Sequence, residues 1–182
     1  MQRLLALLIF ICISPIYILI SILIFLEDGF PIHFKQKRPG LNHLLFDFYK
    51  FRSMKKNTPN VATHLLENPD QYLLKIGKVL RKFSLDELPN LINVIKGDMG
   101  FVGPRPALFN QYDLIGLREK YGLDKLKPGI TGWAQINGRD ELSIPDKVEY
   151  ERYYLIHKSL LFDVKIFFLT ILKAFTGKNV TH

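Results

Sequence analysis

The stretch LLALLIFICISPIYILISILIFL (residues 4–26) decides how the rest of the chain is read. It is apolar except at Ser14-Pro15 and Ser21, and about twenty such residues are enough to cross a hydrocarbon core. The run is too long for a secretory signal and no small-x-small cleavage site follows it, so it is expected to stay on the protein as an anchor. Pro15 falls near its middle, where the missing N–H and the ring oppose a straight helix. Ser14 is placed to satisfy the carbonyl that the proline frees. Lys35, Lys37 and Arg38 follow the run, and Arg3 with the terminal amine precedes it. Positive charge marks the cytoplasmic side, so both flanks read as cytoplasmic. That is awkward for a spanning helix and natural for one that turns back. On the residues alone, a kinked span and a re-entrant helix both stay open.

Beyond the anchor, a chain of 182 residues suits one compact domain. The formal charge of +8 attracts phosphates, whether in nucleic acid, in anionic lipid or in a pyrophosphate substrate. Cys12 is the single cysteine, so no intramolecular disulfide forms, and no Cys/His set has zinc spacing. A reducing, cytosolic setting fits the bulk of the chain.

Residues 31–54, aromatic and β-rich around Pro39-Gly40, predict a short hairpin. Residues 57–69 are polar with two prolines and predict a mobile loop. Apolar spacing predicts a helix over 70–82, through Leu73, Leu74, Ile76, Val79 and Leu80, and a second over 84–96, through Leu85, Leu88, Leu91, Ile92 and Ile95. Gly97 is its stop. Residues 100–106 and 127–139 are Gly/Pro-rich loops long enough to suggest function. Helices are expected over 150–157 and 160–175. The last of these is rich in Phe, Leu and Ile, with Lys165 and Lys173. It fits a helix in the membrane interface and, equally, an amphipathic helix closing the core.

The chemistry centres on Ser84-Leu85-Asp86-Glu87. S-x-x-E before an apolar run is a capping box, with Ser84 as N-cap and Glu87 reaching back. The same geometry would put Asp86 in a first turn, where the helix dipole favours an ionised carboxylate fit for attack on phosphorus. Adjacent carboxylates cannot flank a glycosidic bond from opposite faces, which argues against a glycosidase pair. A carboxylate approaching a pyrophosphate meets like charge, about 1 kcal/mol per pair at 4 Å in water and roughly 4 at an effective dielectric near 20. Mg²⁺, held by one or two carboxylates and substrate phosphates, would offset this. Arginine forks would add to it, with Arg81 and Arg105 as candidates. Pro104 and Pro106 stiffen the chain around Arg105. Residues 128–139, PGITGWAQINGR, gather backbone N–H groups, a hydroxyl and amides into one loop that could cradle phosphate or read a base. Trp133 within it also fits a plain core position.

At these residues the chain resembles the bacterial sugar transferase family, the monotopic polyprenyl-phosphate phosphoglycosyl transferases. The likeness runs nearly end to end, through Lys50 to Met54, Ser84 to Leu91, Asn93 to Met99, Phe101 to Pro106 and Pro128 to Arg139. It implies that Asp86 attacks the sugar-proximal phosphate of a UDP-sugar and releases UMP. The aspartyl phospho-sugar then passes to polyprenyl (undecaprenyl) phosphate. Asp86 and Glu87 would be the catalytic pair and the Mg²⁺ ligands, Glu87 helping to bind the ion or handling the acceptor's proton. Lys50, Arg81, Pro104, Arg105, Pro106, Gln135 and Arg139 would bind substrate, Arg139 near the nucleotide. Ser14-Pro15 matches the membrane break that makes the helix re-enter. The implied architecture is α+β and mostly helical: a re-entrant membrane helix over 1–27, then a membrane-associated catalytic domain over 28–182. That domain carries a small β-hairpin and interfacial amphipathic helices on the cytoplasmic face of the bacterial inner membrane. Partners would be the UDP-sugar, the polyprenyl phosphate, membrane lipid and later glycosyltransferases of the pathway, with no nucleic acid. Two departures stand out: Gln2 lies about where the family often has an acid, and Gly100 where a serine is frequent. Larger relatives carry further membrane helices in front, and this sequence reads as the minimal form. Two other classes fit parts of the sequence, a nucleotide-sugar diphosphate hydrolase and a non-catalytic, membrane-tethered module for anionic ligands.

Overall fold

The computed structural model describes residues 1–59, 67–138 and 141–176, the last three by backbone only. Most of the predicted 57–69 loop, and Arg139 in the predicted nucleotide loop, fall outside the described residues.

Helix α1 (Gln2–Asp28) is continuous, with Pro15 inside it. Its cost is reduced as the sequence suggests: the Ser14 hydroxyl donates to the Ile11 carbonyl at 2.7 Å, the group that residue 15 would otherwise serve. The helix lies along the rest of the chain rather than projecting from it. Ala6, with Ile9, Phe10 and Ile13, packs into a cluster of Phe46, Phe48, Leu91, Val94 and Met99. Ile20 and Ile24, with Tyr17, join Phe51, Leu74 and Leu80. The opposite flank, including Leu4, Leu8, Ile11, Ile18, Leu19, Ile22 and Leu26, is exposed along the whole length.

Both ends of α1 lie against the same body, and the C-terminal end is bonded to it. Arg52 donates to the Asp28 carboxylate and to the carbonyls of Asp28 (3.1 Å), Gly29 (2.6 Å) and Pro31 (2.6 Å). Glu27 accepts from the backbone N–H groups of Lys75 (2.6 Å) and Ile76 (3.3 Å), filling the N-terminal donors of a short helix. At the other end the Arg3 guanidinium lies so close to Gly97 that a Cβ there would sit 2.0 Å from it.

The hairpin forms as predicted, β1 (His33–Pro39) antiparallel to β2 (Leu45–Phe51), with Lys37 opposite Asp47 and Phe34 opposite Lys50. Its loop is longer than a two-residue turn, with Asn42 and His43 both at positive φ. The 70–82 helix is two pieces, α2 (Pro69–Tyr72) and α3 (Lys75–Lys82). Leu73 and Leu74 between them are extended, and Leu73 bridges to Met54. Burying Leu74 against Ile20 and Ile24 is what breaks the apolar pattern in two.

The 84–96 helix is also broken, and the capping box does not form. Ser84 is left-handed (φ 53°) with no side-chain cap bond, and Leu85–Glu87 is a 3₁₀ turn. Helix α4 (Asn90–Lys96) starts only after Pro89, whose absent N–H prevents one continuous ladder. Asp86 is therefore not held by the dipole of a long helix. Gly97 ends α4 at φ 91°, as predicted.

A second, parallel sheet escapes the sequence reading: β3 (Gly100–Val102) pairs with β4 (Gly129–Thr131). Between them runs α5 (Tyr112–Lys120). After β4 come α6 (Trp133–Ile136), α7 (Ile144–His157) and α8 (Leu160–Thr176). Helix α7 begins earlier than expected because Ser143 caps the Asp146 N–H at 3.2 Å with Pro145 in the first turn. Helix α8 has two faces. Ile166, with Phe162 and Leu169, enters the core around Val148 and Tyr154, while Leu160, Leu161, Val164, Phe168 and Leu172 are exposed.

Candidate active site

Four charged side chains meet where β2, the 3₁₀ turn and the loop after β3 converge. The Lys50 ammonium lies 3.2 Å from Asp86 Oδ2 and 2.9 Å from Glu87 Oε1. Arg105 forks onto Glu87, with Nη2 2.6 Å from Oε1 and Nη1 3.3 Å from Oε2. The carboxylates are deep, at 5% and 10% side-chain exposure against 20% for Lys50 and 22% for Arg105. Two buried anions are thus matched by two cations that still touch solvent. Unpaired, such a pair would be strongly destabilising. Asp86 Oδ1 is buried and has no hydrogen-bond partner, so its lone pairs are not committed to the protein.

Local sequence explains the convergence. The left-handed turn at Ser84 and the 3₁₀ turn set Asp86 and Glu87 pointing inward together. Asn93, fully buried on α4, fixes β2 against that segment. It donates to the Asp47 carbonyl at 2.6 Å and accepts from the Tyr49 N–H at 3.2 Å. Lys50, one residue on, is thereby brought to the acids.

Arg81 stands behind the pair. Its Nε donates to Ser53 Oγ at 3.0 Å, and burial lowers its guanidinium from the ordinary value while the Asp86 charge opposes that shift. The Arg105 loop is carried by backbone-on-backbone contact with the β4 loop. A Cβ at Gly129 would lie 2.2 Å from the Gly103 nitrogen, and one at Gly132 would lie 2.2 Å from the Gly103 carbonyl oxygen. Only glycines let these strands approach so closely. Beside them opens a cleft lined by Arg105, Trp133, Gln135, Lys147 and Glu151. Gln135 donates to the Ile130 carbonyl at 3.0 Å, and its Oε1 is buried with no partner. Trp133 is half-buried against Tyr153 and Phe162 while lining the cleft, so it serves both core and rim.

The chain matches the bacterial sugar transferase family over residues 1–177. It belongs to that family. It is 43% identical over 96% of its length to the UDP-glucose:undecaprenyl-phosphate glucose-1-phosphate transferase of Escherichia coli (strain K12), of which it covers 39%. It is 41% identical over 93% of its length to the uncharacterized sugar transferase EpsL of Bacillus subtilis (strain 168), covering 83% of that protein. The UDP-N-acetylgalactosamine-undecaprenyl-phosphate N-acetylgalactosaminephosphotransferase of Aeromonas hydrophila is 37% identical over 90% of the chain, which covers 40% of it. The chain therefore spans most of the shorter relative and well under half of the longer two.

For this bacterial sugar transferase the structure brings Lys50, Asp86, Glu87 and Arg105 into direct contact. Gln135 and Pro104 share the adjoining cleft with Arg105, and Pro106 lines a second hollow together with Pro104 and Arg105. Three residues of the site's frame went unsignalled. Arg38 on β1 donates to the Pro106 carbonyl at 2.7 Å. Arg118 on α5 and Glu151 on α7 form a buried ion pair at 2.5 Å. In sequence each is one charge among many, and only the packing of α5 against α7 reveals the pairing.

Proposed function

We propose that this chain transfers a sugar phosphate from a UDP-sugar to a polyprenyl phosphate through a covalent intermediate on Asp86. The observation that carries this reading is the buried Asp86 carboxylate, one oxygen on Lys50 and the other without a partner. Asp86 would form a bond to the sugar-proximal phosphorus. The bridging P–O bond would break, its electron pair leaving with UMP. An oxygen of the polyprenyl phosphate would then attack the same phosphorus and return Asp86 as a carboxylate. Lys50 and Arg105 supply positive charge where the non-bridging oxygens gather negative charge. The relatives named above, two of them undecaprenyl-phosphate sugar phosphotransferases, support the reaction class.

Mg²⁺ suits this site as a partner of substrate rather than as a caged ion. Among the described residues no cluster of three His, Cys, Asp or Glu side chains could hold a metal alone. One buried carboxylate oxygen is uncommitted, and Mg²⁺ is commonly bound through one or two carboxylates plus phosphates. Asp86 and Glu87 would hold the ion, whose charge would offset that of the donor's diphosphate.

The membrane supplies the acceptor. The exposed apolar flank of α1 and the exposed face of α8 suit lipid, since an apolar surface that broad is unstable in water. Re-entry of α1 over residues 1–27, both ends on the cytoplasmic side of the inner membrane, is supported by the closeness of Arg3 to Gly97 and the bonds at Glu27 and Asp28, which put both ends against one catalytic body (28–182). A helix flank facing lipid gains little from hydrophobic burial, so the bonds at Glu27 and Asp28 and the packed inner flank hold α1 to the body. With Cys12 replaced by serine, a Gln2→Cys chain, which keeps Arg3, should resist a membrane-impermeant thiol reagent applied from the periplasmic side. Adding Pro15→Ala, which restores the N–H that the helix lacks at that position, should make a measurable fraction reactive. Unchanged protection of the introduced thiol after Pro15→Ala would show that the proline does not set the topology.

The decisive test is UMP release from a panel of UDP-sugars by the purified chain, with and without undecaprenyl phosphate and Mg²⁺. Sustained release requiring both, with lipid-linked sugar as product, is the expected result. Sustained release without lipid would make the protein a hydrolase instead.

A further inference from the structure

We propose that Arg118, held by Glu151, is a positioning residue that fixes the backbone of Arg105 and so aims its guanidinium at the donor's diphosphate. This rests on the reading of Arg105 as a phosphate clamp. The segment Pro104-Arg105-Pro106 is unusual in how little of its backbone can donate, because two of its three residues lack an N–H. It is held through its carbonyls, each by a different element. The Pro104 carbonyl accepts from the Gly129 N–H at 3.0 Å. That of Arg105 accepts from Arg118 Nη2 at 3.0 Å, and that of Pro106 from Arg38 Nη1 at 2.7 Å.

Arg118 itself is set by a two-pronged bond to Glu151, Nε to Oε2 at 2.8 Å and Nη2 to Oε1 at 2.5 Å. The two side chains are only 11% and 3% exposed. A buried ion pair is weak evidence of stabilisation, since a well-packed apolar pair of similar volume often does as well. Its geometry is the informative feature. A planar guanidinium locked on Glu151 turns the second N–H of its Nη2 toward one backbone oxygen, which a flexible ammonium cannot do as rigidly. The pair reaches the site through the Arg105 carbonyl, so its influence passes through Arg105. A misplacement of about 1 Å at a transition-state contact can cost on the order of 100-fold in rate.

The test compares Arg118→Met/Glu151→Leu, Arg118→Lys and Arg105→Ala, each alone and each Arg118 variant combined with Arg105→Ala, by UMP release and by thermal melting. The apolar double variant should melt close to the parent yet lose on the order of 100-fold in kcat, and Arg118→Lys roughly 10-fold. In the Arg105→Ala background either should add less than about 3-fold, because groups acting through one contact are not additive. Parental turnover by Arg118→Lys and by any folded double variant, with Arg105→Ala inactive, would overturn the positioning role. So would losses that multiply with that of Arg105→Ala. Full activity in Arg105→Ala itself would overturn the phosphate-clamp reading, and the positioning role with it.

Discussion

Asp86→Asn should reduce UMP release by at least about 10³-fold, equivalent to roughly 4 kcal/mol of transition-state stabilisation, while leaving the fold intact. The amide is nearly isosteric with the carboxylate but is a poor nucleophile toward phosphorus, so the covalent route closes rather than slows. Stability should hold, because the change removes one of two adjacent buried anions and leaves Lys50 and Arg105 on Glu87. A donor labelled at its sugar-proximal phosphate gives the direct readout. Wild-type protein mixed with this donor in the absence of lipid should carry label through denaturation, and Asp86→Asn should carry none. If the variant made lipid-linked sugar at the parental rate, Asp86 would not be the nucleophile and a direct transfer between donor and acceptor would replace the two-step scheme.

How far the sequence carries the site shows in two contrasting positions. Asp86 and Glu87 are singled out by adjacent acids in an S-x-x-E box and, with Lys50 and Arg105, by the motifs that carry the family resemblance, and the structure brings the four side chains together. Their local conformation is not legible. S-x-x-E is a sound helix-start signal, yet Pro89 removes the N–H that one long helix would need, and the chain takes a left-handed residue and a 3₁₀ turn instead. That tighter turn, not a helix dipole, delivers both carboxylates to Lys50. The same competition splits residues 70–82, where local periodicity favours one helix but Leu74 is drawn into contact with α1. Helix α1, the hairpin and α8 are long or strongly patterned enough to survive such competition. The three-residue strands β3 and β4 are not, since each is defined only by its distant partner. Arg118 and Glu151 lie 33 positions apart, and nothing local marks either as part of the frame.

Lys50→Met should cost both stability and turnover, for one reason. The Lys50 ammonium is shared by two buried carboxylates, at 3.2 and 2.9 Å, and methionine keeps the length of the side chain without its charge. Removing one partner of a buried ion pair costs about 3–5 kcal/mol, and the lower end applies where water still reaches the lysine. For a chain of this size that corresponds to a drop of roughly 6–12 °C in melting temperature. Turnover should fall at least about 10²-fold, since the positive charge that faces the donor's oxygens goes with it. The two losses can be separated by adding Glu87→Gln. Neutralising Glu87 removes the repulsion next to Asp86, so Lys50→Met/Glu87→Gln should recover several degrees of melting temperature. It should recover no activity, because neither the ammonium nor the second carboxylate is restored. Recovery of both together would mean that Lys50 serves only to keep the acids folded, leaving Arg105 as the main cation for the transition state. Turnover by the stabilised double variant well below that of Glu87→Gln alone would place Lys50 in the chemistry beside Asp86.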